Sequence, residues 1–466
     1  MKKVAILIGL CFCCVELRGD WFEEFKRNSS DEELHQFLYE MPKGGDLHHH
    51  LTGSIFSEDW YELAIASSEF GYLYFTKVAI NNCRRYGDIG FDQYLIHYRN
   101  ISENNWEKLS ECEKSEYLPL AEMNDRQLED WSNAIRLDKK HEGRNEFFER
   151  HWQRLGDLLT DPYIMKGISL KNLQHLADEG LLYAEPQVPV AGWVKPDGTP
   201  IGSSDAAQLL RDALDEPDFK ETGMTWRFQL SILRMLPTAE EQLIEAYKFV
   251  TANKPWVAVN MVGREDDDKG YPLRFLTTFR ELRHKYGNVH LSIHGGEVDE
   301  PNSHVRDTLL LGADRIGHGI NLITDPDTMR LMRHGPYLVE INLISNLLLE
   351  YVSDYREHPF PEYLRTGIPV ALSTDDRGMW DSTMTDEFFV AVKEFNLSWN
   401  EIKLLSENSL KYAFVDSQTK EELLKRYRSN IFAFEEKVRS DAAGVGGLRI
   451  APKRGFICRQ YDICAP

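Results

Sequence analysis

Eight short apolar segments recur along this chain: Gly45 to His50, Leu181 to Val188, Phe228 to Met235, Val257 to Val262, His290 to Ile293, Arg315 to Gly319, Tyr337 to Ile341 and Pro369 to Ser373. Between them, stretches such as Ala239 to Thr251 and Leu273 to Lys285 carry apolar residues at helical spacing. Strand alternating with helix through eight cycles calls for a parallel sheet, and eight such strands close a barrel. The expectation is therefore an α/β fold, a (β/α)8 TIM barrel, with strand residues that face the lumen otherwise apolar. A chain of 466 residues, 42% hydrophobic and 28% charged, is long enough for one large domain with decorations.

The first connection is too long for one barrel helix. From Thr52 to about Gly180 it holds several helical segments and a charged, Trp-containing stretch, which places an insertion at about residues 101–145. Residues 20–40, with Trp21, Phe22 and Phe25 in an acidic stretch, form an N-terminal helical extension. The barrel covers 41–436, and residues 437–466 are a tail that turns Gly-rich and then basic. At the front, Lys2 and Lys3 precede an uncharged run from Val4 to Val15, the pattern of a signal peptide over residues 1–19 that is too short to span a bilayer. A secreted or periplasmic location follows. Of 7 cysteines, those at 11, 13 and 14 would leave with the signal, and Cys83, Cys112, Cys458 and Cys464 would stay. An even number in an exported chain suggests disulfides; three connectivities are open, and the two local pairs are favoured here.

A formal net charge of -21 with no basic run argues against nucleic acid as a partner and suits a small neutral substrate. The chemistry-bearing residues lie at the ends of the apolar segments. On a strand, His48 and His50 share one face while His49 points to the other. Downstream come His294-Gly295-Gly296-Glu297, Gly317-His318-Gly319 and Ser373-Thr374-Asp375-Asp376. They fall at the C-terminal ends of barrel strands, where the active sites of such barrels lie. His48, His50, His294 and Asp375 make a ligand set for one Zn2+ per chain with a position left open, and zinc lowers the pKa of a bound water toward ~7. Glu297 follows two glycines that let the chain bend back, which suits a general acid and base. His49 is expected not to be a ligand. The glycines flanking His318 are expected to let its ring approach a ligand closely.

Taken in order, with Met41-Pro42-Lys43 leading into the paired histidines, these segments resemble the adenosine deaminase family from about Met41 to beyond Asp376. The similarity is greatest to its secreted, growth-factor-like branch, because Met-Pro-Lys-Gly-Gly-Asp-Leu-His and the long first insertion occur together. The resemblance implies the same barrel, and it implies that Glu297 protonates the purine ring nitrogen next to the attacked carbon. It further implies that His318 stabilises and orients the attacking hydroxide, that Asp376 bonds the five-membered ring and helps position the water, and that the backbone of Gly263 faces the purine. Glu340 and Ser345-Asn346 are implied to support the site from the seventh strand. Thr52 stands where many members carry an aspartate that touches the ribose, so Thr52 is a substrate-binding candidate with an open sugar preference. Arg377 replaces a common proline and either reaches a charged substrate group or lies in the loop. In the branch, N-terminal extensions support a homodimer; the alternative is that Trp21 to Glu40 packs on the closed end of the barrel.

These readings combine into a zinc-dependent hydrolytic deaminase of adenosine or 2'-deoxyadenosine, with other purines or modified nucleosides as alternative substrates. A binuclear amide or ester hydrolase on the same barrel needs a lysine on the fourth strand, and Val257 to Val262 has none. A non-catalytic, growth-factor-like binding protein is a third reading, against which the intact ligand set argues.

Overall fold

The computed structural model describes residues 21–266, 269–298, 300–440 and 447–464. Eight parallel strands follow one another around the sheet in chain order: Gly45–His50, Tyr183–Gln187, Phe228–Leu233, Trp256–Val262, His290–Gly295, Arg315–His318, Leu338–Ile341 and Val370–Leu372. All eight coincide with the apolar segments of the sequence. The last strand returns to the first where His50 N–H donates to the Asp375 carbonyl at 3.1 Å and Asp375 N–H to the His48 carbonyl at 2.9 Å. That closure lies at the C-terminal rim. It makes a (β/α)8 barrel with helices such as Pro162–Asp178, Ala239–Ala252, Leu276–Tyr286 and Trp399–Lys411 outside.

The lumen differs from the apolar filling expected of it. Glu185, Gln229, Asn260, Ser292, Arg315 and Glu340 are all fully buried there. Arg315 Nη2 donates to Glu185 Oε2 at 2.6 Å, and its Nε lies 2.6 Å from Glu340 Oε1. Tyr183 donates its hydroxyl to Glu185 Oε1, and Gln229 Nε2 donates to Glu185 Oε2. A charged layer is tolerated because each member is met by opposite charge or a hydrogen bond, and it carries polar order up to the rim where the histidines sit.

The inserted unit is wider than residues 101–145. Tyr74–Lys77 pairs antiparallel with both Asn100–Ser102 and Tyr117–Pro119, so this three-stranded sheet begins well before residue 101. Cys83 and Cys112 are disulfide-bonded in it, as are Cys458 and Cys464 in the tail. The boundary at 437 falls inside a helix, Ser417–Ser440. Beyond it the tail docks on the barrel: Gly455 N–H donates to Asp381 Oδ2 and Arg459 to the Trp380 carbonyl, with Phe456 and Ile457 buried. The segment read as a signal peptide, residues 1–19, lies outside the described residues. Among the described residues, no helix is long and apolar enough to cross a membrane.

The aromatic face of helix Trp21–Asn28 is used within the chain. Trp21 and Phe22 lie against Trp399, and Phe25 against Phe37 at 4.8 Å between centroids. Trp21 and Phe22 thereby seat the extension on helix Trp399–Lys411. The lysine of Met41-Pro42-Lys43 is structural: its buried ammonium donates to the carbonyls of Leu38 (2.6 Å), Met41 (3.2 Å) and Glu179 (2.7 Å). A cation among the last carbonyls of helix Asp31–Glu40 satisfies acceptors that the helix itself leaves unpaired.

Candidate active site

At the rim of the closed seam, three imidazoles and a carboxylate converge. His50 Nε2 lies 3.2 Å from His294 Nε2 and 3.1 Å from Asp375 Oδ1, and His48 Nε2 lies 3.5 Å from the same Asp375 oxygen. His48, His294 and Asp375 are buried and the His50 side chain is 16% exposed, so the cluster opens toward solvent on one side only. His49 points outward between Asp46, Thr374 and Asn172, as strand alternation requires.

His48 and His294 are each held at Nδ1, so that Nε2 faces the cluster. A carboxylate only accepts, so Glu340 Oε2, 2.9 Å from His48 Nδ1, holds the ring hydrogen there. The His294 ring is fixed through the lumen. Gln229 Nε2 donates to the Leu47 carbonyl and to Glu185, so Gln229 Oε1 accepts from Asn260 Nδ2, and Asn260 Oδ1 accepts from His294 Nδ1 at 3.1 Å. Ser345 Oγ donates to Asp375 Oδ2 at 2.6 Å and leaves Oδ1 facing the rings. Burial holds His294 well below the usual histidine range, with the neighbouring His48 charge adding to it. Burial pulls His48 down too, yet the nearby carboxylates of Asp375 and Glu340 outweigh that and raise it to about 10. Asp375, also penalised by burial, is pulled well below the carboxylate range by the rings of His48 and His50 beside it. Two buried carboxylates thus demand a positive charge among the rings, and a divalent cation supplies it with the donor set zinc prefers. His48 Nε2 makes no hydrogen bond among the described residues, as expected of a ligand atom.

Glu297 and His318 flank this cluster, with Glu297 Oε2 3.6 Å from His318 Nε2. Burial raises Glu297 well above the usual glutamate range, and the charges of Asp375 and Glu265 add to it, which keeps a proton on the group. Burial holds His318 at about 3. The bend into Glu297 is made by Gly296, at φ +78°, where a Cβ would stand 2.2 Å from Asn321 Oδ1. The glycines around His318 serve other neighbours than a ligand: a Cβ on Gly317 would meet the His48 ring at 2.6 Å, and one on Gly319 would meet Val339 at 2.7 Å. His318 and Asp375 both sit at positive φ (64° and 54°), a conformation that costs on the order of 1–3 kcal/mol for such residues and collects at functional sites.

Asp376 is buried, its Oδ1 is without a hydrogen bond among the described residues, and Gly53 makes room for it: a Cβ there would sit 1.6 Å from that oxygen. Thr52 is half-buried in the turn after the first strand. Gly263 has φ +97° and packs under Met235 and Leu233. Arg377 does not face the site. It is fully buried and donates to Glu179 Oε1 at 2.7 Å and Asn172 Oδ1 at 2.9 Å, away from the histidine cluster.

Three residues were missed by reasoning from sequence. Glu265 accepts from the backbone N–H groups of Gly296 (3.1 Å) and Glu297 (3.3 Å) and is bound by His304, so it clamps the loop that presents Glu297. Glu387 accepts from Leu343 and Ile344 N–H, capping the short helix Leu343–Leu348 that carries Ser345 and Asn346. Gln187, paired in register with His50, is buried with both amide atoms lacking a hydrogen bond among the described residues. Alternation puts it on the lumen face with Glu185, one step nearer the rim.

Comparison with known proteins identifies the family and the fold. The adenosine deaminase family profile matches residues 116–429. An adenosine deaminase of Clostridium kluyveri is 28% identical over 44% of this chain, and the match spans 58% of that relative's length. Adenosine deaminase 2 of Dictyostelium discoideum is 25% identical over 87% of this chain and 75% of its own. A solved amidohydrolase from Burkholderia ambifaria with bound zinc superposes with a TM-score of 0.61 at 18% identity, over 87% of this chain and 95% of that one.

Proposed function

This chain belongs to the adenosine deaminase family, and from that premise we propose that it is an exported, zinc-dependent hydrolase converting adenosine or 2'-deoxyadenosine to inosine or 2'-deoxyinosine and ammonia. Hydrolytic purine deamination is the coarse reaction that membership carries. One observation supports the finer reading above the rest: His48, His50 and His294 turn their Nε2 atoms, and Asp375 one carboxylate oxygen, toward a common point, with Glu297 beside His294.

When bound there, zinc would supply Lewis acidity and bring a water toward deprotonation at neutral pH. The side chains do the rest. The Glu297 carboxyl, kept protonated by burial, delivers its proton to the ring nitrogen beside the amino-bearing carbon as water oxygen adds to that carbon. One proton of the water passes to Glu297 and on to the leaving amine, which departs as ammonia when its bond to the carbon breaks; the other returns to Glu297 as the added oxygen becomes the carbonyl, which restores the starting carboxyl. His318 holds the incoming oxygen, and the Asp376 carboxyl, raised well above the usual aspartate range by burial, donates a hydrogen bond to the lone-pair nitrogen of the purine five-membered ring. Export is supported by the Lys2-Lys3 start with its uncharged run and by two disulfides among the described residues.

The test is metal analysis of the purified chain together with the ultraviolet change on conversion to inosine, across adenosine, 2'-deoxyadenosine, adenine and modified nucleosides. One zinc per chain with turnover of the two nucleosides is expected. Two tightly bound metals per chain, or full activity after thorough chelation, would refute the mechanism.

A further inference from the structure

Behind His318 stands a chain of groups whose hydrogen-bond polarity can be read from a backbone amide outward. The Phe360 N–H donates to His358 Nδ1 at 3.1 Å, so that nitrogen carries the lone pair and a neutral His358 keeps its hydrogen on Nε2. His358 Nε2–H donates to Asn346 Oδ1 at 3.0 Å, which turns Asn346 Nδ2 toward His318. Asn346 Nδ2 then donates to His318 Nδ1 at 3.0 Å, and Asn342 Nδ2 reaches the same nitrogen at 3.2 Å. All four side chains are buried, so water does not compete for these partners. With the Nδ1 lone pair engaged, neutral His318 keeps its hydrogen on Nε2, the atom that faces Glu297 and makes no hydrogen bond among the described residues.

We propose that His358 and Asn346 are positioning residues that set the tautomer of His318, so that it meets the reacting oxygen as a hydrogen-bond donor and never as a base. This deepens the function proposed above and rests on it for the role of His318. A donor at Nε2 holds one lone pair of the oxygen without taking its proton, which leaves proton transfer to Glu297.

The test uses the full-length, zinc-loaded protein with 15N-labelled histidine. In wild type, the His318 Nδ1 resonance is expected at an unprotonated, imine-type position and Nε2 at a protonated, pyrrole-type one. Asn346→Asp offers acceptors to both rings and should move the His318 hydrogen to Nδ1, lowering kcat by ~10²-fold or more with KM and zinc content near wild type. His358→Leu should lose part of that rate, and His358→Gln, which keeps an N–H donor, should recover most of it. Because the relay acts through His318, Asn346→Asp added to His318→Gln should cost little more. The proposal is overturned by a wild-type His318 protonated on Nδ1, by Asn346→Asp turning over within threefold of wild type, or by full multiplication of the two losses. Loss of zinc or of cooperative melting in both Asn346→Asp and His358→Leu would make these framework residues and overturn it equally. If wild type turns over no purine while the resonances stand as expected, the proposed function fails and the relay holds.

Discussion

Replacing Glu340 by glutamine tests how far the lumen controls the metal site. The carboxylate has two oxygens and three neighbours: Oε2 takes His48 Nδ1 at 2.9 Å, Oε1 stands 2.6 Å from Arg315 Nε, and Ser292 Oγ bridges both at 2.9 and 3.0 Å. An amide has only one acceptor oxygen. If that oxygen turns to Arg315, the NH2 faces His48 Nδ1 and drives the ring hydrogen to Nε2, which then cannot ligate a cation. If it turns to His48, the NH2 opposes the guanidinium, and the fully buried Arg315 keeps Glu185 as its carboxylate partner and the Tyr412 carbonyl as an acceptor. Loss of an orienting partner behind a metal-bound histidine typically costs ~10- to 100-fold in affinity. Breaking one arm of a buried ion pair costs about 3–5 kcal/mol of stability. Chelator competition should therefore show zinc leaving Glu340→Gln at least ~10-fold more readily, and denaturant unfolding should show a marked loss of stability. Zinc affinity and unfolding midpoint both equal to wild type would mean that neither the ring hydrogen of His48 nor the charge on Arg315 depends on Glu340, and the orientation argument would be wrong.

His294→Ala removes one of three imidazoles and leaves a cavity beside Asn260, so both zinc and deaminase activity should vanish; retention of stoichiometric zinc would remove His294 from the ligand set. The Cys83–Cys112 disulfide closes a sequence separation of 29, worth roughly 3–4 kcal/mol in the chain-entropy model, so paired Cys→Ala replacement should destabilise the inserted sheet by up to that amount. Mass mapping that finds both thiols free in natively exported protein would refute the bond. Gln187→Leu keeps the volume of a buried amide that has no hydrogen-bond partner among the described residues, so zinc and folding should persist while KM for nucleosides rises; an unchanged KM would show that the amide does not meet the substrate.

The barrel was legible from sequence because strand and helix declare themselves by the spacing of a few consecutive side chains. Each of the eight segments, from Gly45 to Ser373, carries its own periodic signal. The metal cluster was legible for a related reason: alternation puts His48 and His50 on one face, and the strand-end position puts His294 and Asp375 at the same rim. By contrast, the small sheet built on Tyr74–Lys77 was not legible, since its strands are three or four residues long and gain their order from pairing across the insertion. Arg377 was left with two readings, and only the approach of Glu179 and Asn172, 198 and 205 residues away in sequence, decided between them.

What the sequence by itself determined, then, is the number and order of strands and which side chains share a face, because these follow from backbone geometry over distances of two to four residues. Only the tertiary structure decided what lies behind those side chains. His48 meets Glu340 across 292 residues, and His358 reaches His318 through Asn346. The partner of a buried polar group is chosen by how the closed barrel brings distant strands into hydrogen-bond range, and burial makes that choice decisive because an unpaired donor or acceptor there has no water to turn to.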